Sequence, residues 1–171
     1  MAMMYARRIS RAVVALLAVL ISVPGQASAA SLVPFQATVA ETFTAAPCTP
    51  VPSLCVSAVG TGNATHLGRI RESASVVINL ASSPAPGCTA ETRETILSAV
   101  NGDQLMLHAT GQGCVTGPTT VAAVDSYVVS GGTGRFSRAS GSGTIKATVD
   151  QASGTAGITF NGVLSTPGSL L

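Results

Sequence analysis

The sequence predicts an all-β domain, an antiparallel sandwich or barrel, carried behind an export signal. Three observations lead there. Short apolar runs recur along residues 30–171, each bounded by Gly, Pro, Asn or Ser. No stretch in that region forms a convincing amphipathic helix. Thr and Val, which favour a pleated surface over a helix, are abundant together with Ala, Gly and Ser.

The export signal comes first in the chain. Arg7, Arg8 and Arg11 form a positive region, and Ala12–Val23 (AVVALLAVLISV) is apolar. Pro24 and Gly25 break that run, and Ala27-Ser28-Ala29 offers a small-x-small cleavage site before Ala30. Residues 1–29 read as a secretory signal peptide and 30–171 as one domain. A spanning helix needs about 20 apolar residues. No later run approaches that, so stable membrane insertion is not expected and the destination is extracellular. Removal of the signal takes three basic residues with it. Six Arg/Lys then stand against seven Asp/Glu, a net charge of −1. Such a surface cannot neutralise a row of phosphates, which excludes nucleic acid as a partner.

All four cysteines, Cys48, Cys55, Cys88 and Cys114, follow the signal. An even number in an oxidising compartment reads as two disulfides. Of the three pairings, Cys48–Cys55 with Cys88–Cys114 closes two local loops and is preferred. No C-x₂₋₄-C pair is present, and His66 and His108 form no H-x-H motif, so no metal and no cofactor is expected.

The elements follow in order. In Val33–Phe43, Phe35, Ala37 and Val39 share one face. Ala46–Leu54 holds three prolines and reads as a loop clamped by Cys48–Cys55. Val56–Thr65 is a second strand, and Arg69–Leu80, after a turn at Gly68, a third. Ser82–Gly87 is a loop. Thr92–Val100 and Gln104–Thr110 flank Asn101-Gly102-Asp103, whose Asn-Gly predicts a type I′ hairpin turn. Gly111–Pro118 reads as a loop, Thr120–Ser130 and Thr144–Val149 as strands. In the last strand, Ala156–Leu164, Ile158, Phe160, Gly162 and Leu164 share a face.

Between Val128 and Asp150 the chain packs five glycines into 23 residues. No phosphate loop fits, because the third glycine of G-x-G-x-x-G is missing and no helix follows. A flexible linker does not fit either, because Phe136 lies inside the stretch and β patterning resumes at once. Gly131, Gly132, Gly134 and Gly141 instead read as the structural turn of a curving sheet, with Phe136 as its anchor on the core.

Gly131–Gly141 follows G-G-T-G-x-F-x-x-A-x-G. This resembles the corresponding segment of dirigent proteins and is similar to the G-G-[ST]-G-x-F segment of allene oxide cyclases. With Ser142 and Gly143 it also resembles secreted bacterial proteins of actinobacterial type. The resemblance covers about a dozen residues. It implies an eight-stranded antiparallel barrel, often trimeric, and so a homo-oligomer. It carries no chemistry, and no catalytic residue can be transferred through it.

Asp125 and Tyr127 stand two apart and share a face. Turned to a lumen, they could form an acid/base or hydrogen-bonding pair for a bound ligand. The expected reading turns them to solvent and leaves Val124 and Val128 to pack inward on either side of Ser126. Arg69 and Arg71 pose the same question and are expected outside, as is His108. No G-x-S-x-G or H-E-x-x-H motif occurs, and no catalytic residue is assigned. The expected function is binding of a small apolar ligand in the lumen. A cyclase- or dirigent-like activity and an extracellular structural or protein-interaction role are the alternatives.

Overall fold

The computed structural model describes residues 31–165. The signal segment, residues 1–29, lies outside the described residues. Eight strands follow one another: β1 (Leu32–Cys48), β2 (Ser53–Ala64), β3 (Gly68–Asn79), β4 (Cys88–Ala99), β5 (Gln104–Val115), β6 (Thr120–Gly132), β7 (Gly141–Asp150) and β8 (Thr155–Ser165). Each pairs antiparallel with the next, and β8 pairs with β1 to close an eight-stranded barrel. Closure leaves no exposed sheet edge along the shared register.

Alternation along each strand decides what faces inward. Phe35, Ala37 and Val39 of β1, Leu105 and Leu107 of β5, and Ile158, Phe160 and Leu164 of β8 are all buried. Thr38, Thr42, Arg69 and Arg71 on the alternate positions are exposed. One end of the barrel is filled with apolar side chains, chiefly Phe35, Leu97, Leu105, Phe136, Phe160 and Leu164. Buried side chains of this size each contribute about 1.5–3 kcal/mol by leaving water.

The glycine segment closes that filled end. Ser130 is an extra residue on β6: Met106 pairs with Gly131 while Leu107 pairs with Val129. Gly131 takes φ +151° and Gly134 φ +56°, which lets the chain leave the ladder and turn inward. A short 3₁₀ turn, Gly134–Phe136, then sinks Phe136 completely into the core. Arg135 stacks over the Phe136 ring and pairs with Asp103 at 2.9 Å.

Three local expectations need correction. Ala46–Leu54 is not all loop, because β1 runs through Pro47 to Cys48 and β2 starts at Ser53. β1 pairs with β8 only as far as Thr42, so Pro47 sits on a projecting hairpin with no neighbour on that side. Gly111–Pro118 is likewise strand as far as Val115, where Cys88 faces Cys114 and the disulfide joins directly opposed residues. The turn after β4 is not type I′. Gly102 has φ +89°, but Asn101 does not take positive φ, and the loop runs over residues 100–103. Both preferred disulfides, Cys48–Cys55 and Cys88–Cys114, are formed.

A Cβ on Gly162 would lie 2.2 Å from the Ser142 carbonyl oxygen and 2.5 Å from the Tyr127 hydroxyl. Gly162→Ala is therefore expected to lower stability by about 2–3 kcal/mol in urea unfolding. Gly157→Ala meets nothing within 4 Å and should change it by less than about 0.5 kcal/mol.

Candidate functional site

The open end of the barrel holds the candidate site. A cavity of about 400 Å³ runs inward from the rim formed by the β1–β2, β3–β4, β5–β6 and β7–β8 loops. Its walls are apolar, with Leu54, Val56, Ile78, Val115, Val121 and Val149 near the mouth and Ala58, Ala123, Ala147 and Ile158 deeper. Its floor is not apolar: Glu41, Glu91 and Arg93 face it. Glu72 and Asp125 lie beside them, both buried.

Glycines make these carboxyls neighbours. Across the sheet, Glu41 of β1 pairs with Gly60 of β2, which pairs with Glu72 of β3. A Cβ on Gly60 would come within 3.1 Å of the Glu41 side chain and 2.8 Å of the Ala40 carbonyl oxygen. With no side chain between them, two carboxyls two strands apart can meet. The same row recurs as Glu91 of β4, Gly111 of β5 and Asp125 of β6. A Cβ on Gly111 would sit 2.3 Å from Asp125 Oδ1. A third row sets Tyr127 against Gly143 and Gly162.

Arg93 holds the first pair. Its Nη2 donates to Glu41 and, at 2.8 Å, to Glu72, while its Nε donates to Thr95 Oγ1 at 3.0 Å. All four side chains are buried. Burial works against the guanidinium charge, but the two acidic neighbours outweigh it and raise the Arg93 pKa further. Burial, then the neighbouring Glu41, push the Glu72 carboxyl up to about 8 despite Arg93. Burial, then the charge and hydrogen bond of Asp125, push Glu91 up to about 7. Asp125 is also raised, by burial, with Arg93 and the bond from Glu91 opposing. Both carboxyls of the Glu91–Asp125 pair thus hold protons to higher pH than an ordinary carboxyl does.

The expectation that Asp125 and Tyr127 face solvent is overturned, because they continue the inward face of Ala123 on β6. Asp125 and Tyr127 point into the barrel and are each 2% exposed, whereas Val124 and Val128 lie outside at 50% and 53%. Asp125 joins Glu91 near the cavity floor. Tyr127 sits deeper, edge-on to Phe160 at 6.4 Å, and burial pushes its hydroxyl up to about 12. The two side chains meet different neighbours, and Tyr127 Oη has no hydrogen-bond partner. Arg69, Arg71 and His108 lie outside, with His108 paired to Glu94. Gly131, Gly132, Gly134, Phe136 and Gly141 belong to the turn and the filled end, away from the cavity.

Sequence reasoning missed Glu41, Glu72, Glu91 and Arg93. A signal existed for three of them. Glu41 continues the Phe35-Ala37-Val39 face, Glu72 the Ile70 face and Arg93 the Leu97 face. Among the described residues, no three His, Cys, Asp or Glu side chains are arranged to hold a metal ion. No protein-family model and no curated protein matches the chain.

Carboxyls whose folded pKa is raised bind a proton more tightly in the native state than unfolded. Their contribution is full below the ordinary carboxylate pKa and is lost as pH climbs through the folded value. Thermal stability is thus expected to fall from about pH 5 to about pH 8 and then level off on account of Glu91 and Glu72. Glu72→Gln and Glu91→Gln should each flatten that slope in calorimetric scans. Arg93→Met strands two buried acids and should cost about 3–5 kcal/mol at neutral pH, less at about pH 5, by urea unfolding.

Proposed function

We propose that this chain is an exported carrier that holds one small apolar molecule inside an allene oxide cyclase/dirigent-like barrel. The observation that carries this reading is the cavity: about 400 Å³, open at one end and walled by aliphatic side chains. Ligand sites commonly enclose about 300–1,000 Å³ with apolar walls and a few convergent polar groups. An eight-stranded barrel is just wide enough to hold one such ligand. The two disulfides brace the hairpin and the strand pair that frame the rim, which suits an extracellular life. The N-terminal pattern of residues 1–29 supplies the route out of the cell.

A second reading is favoured by one specific feature. Glu91 faces the cavity and titrates near 7 beside Asp125, as a general acid/base pair should. A cyclase- or dirigent-like role would use that pair on a bound substrate. Mass spectrometry of ligand recovered from the barrel separates the two, since a carrier returns it unchanged and a cyclase returns an isomer.

N-phenyl-1-naphthylamine, a neutral apolar fluorophore, should bind saturably with one molecule per barrel. Ala123→Phe, deep in the cavity, and Val149→Phe, at its mouth, should each weaken binding by about tenfold or more while the thermal transition is kept. Lack of saturable binding by the native protein, or unchanged binding in both folded variants, would refute carriage in the lumen.

A further inference from the structure

The cavity floor is far more acidic than a purely apolar ligand requires. Glu41 from β1, Glu72 from β3, Glu91 from β4 and Asp125 from β6 face the interior, against Arg93 as its one cation among the described residues. Tyr127 of β6 is the remaining titratable group there. Strands β2, β5, β7 and β8 turn only Gly, Ala, Val, Leu, Ile and Phe side chains inward.

Arg93 already faces two acids, so a ligand carboxylate would find no free countercharge and would add a third. The carboxyls also have capacity to spare. Glu72 Oε2 and Asp125 Oδ1, on side chains 3% and 2% exposed, accept no hydrogen bond. An isolated buried carboxylate is costly, and such groups hold protons until a cation replaces them.

We infer that the ligand is an apolar chain or ring ending in a cationic amine, its ammonium seated on Glu91, the cavity-facing member of the Glu91–Asp125 pair. The apolar body lies against Val56, Ile78 and Val121, and a head on Glu91 leaves the Arg93 pairs with Glu41 and Glu72 in place. The inference rests on the lumen-carriage reading and adds the chemistry of the head group. Burial, then Asp125, push the Glu91 carboxyl up to about 7, so amine binding tightens as pH rises and that carboxyl gives up its proton.

The test uses the native chain and three ligands of equal length, decylammonium, decanol and decanoate, each kept monomeric and competing with N-phenyl-1-naphthylamine. Decylammonium is expected to bind about tenfold or more tighter than decanoate at about pH 8.5, and tighter than decanol, with the margin narrowing at about pH 6. Calorimetry at about pH 6, where Glu91 still holds its proton, in buffers of different ionisation enthalpy should show protons released on amine binding and none on decanol binding. In Glu91→Gln the amine-to-alcohol ratio should shrink toward one. Equal affinity for all three ligands, or amine binding without proton release, overturns the head-group assignment and leaves apolar carriage standing. Failure of the fluorophore and of all three ligands to bind refutes the lumen reading itself.

Discussion

A closed barrel of eight strands has an interior just wide enough to be filled by side chains or to hold one small ligand, and that constraint organises everything else here. In three places the chain sets glycine beside a bulky or charged inward residue: Gly60 between Glu41 and Glu72, Gly111 between Glu91 and Asp125, Gly143 and Gly162 beneath Tyr127. Each of these glycines gives up the packing a side chain would supply, and each creates the room in which a carboxyl pair or a ring can lie. Curvature at the filled end follows the same logic, with Gly131 and Gly134 letting Phe136 cap the core.

The barrel divides along its axis into parts with opposite tasks. The end carrying Phe35, Leu105, Phe136 and Leu164 is packed and dry and supplies the burial that holds the sheet closed. The other end stops short of that density. Small residues, Ala58, Ala123, Ala147 and Ala156, take the place of larger ones around the wall, and space is left over. Between the two lies the charged belt. Buried ionisable groups rarely improve stability over an apolar core of equal volume. The belt thus resembles a site kept at some cost in stability, which Arg93 and the retained protons limit.

Much of the architecture was readable from residues alone. Alternation located the strands and the inward face of β1 and β8, the cysteine spacing suggested the disulfides, and the glycine stretch with Phe136 indicated a curving sheet. Boundaries were less legible, because Pro47 and the Gly111–Val115 segment look like loop until their partners are known. The turn at Asn101-Gly102 shows the same limit, since a four-residue loop relieves Asn101 of the positive φ that a two-residue turn would demand.

The sequence by itself determined the β class and the alternation within the strands, and it favoured the covalent braces, because these depend on local alternation and short spacings. Which face of β6 turned inward was decided only by the tertiary structure. So was the meeting of Glu41, Glu72 and Arg93, which lie up to 52 residues apart. The reason is register: a carboxyl finds its partner across a glycine two strands away, and that approach exists only once β1, β2 and β3, or β4, β5 and β6, have paired.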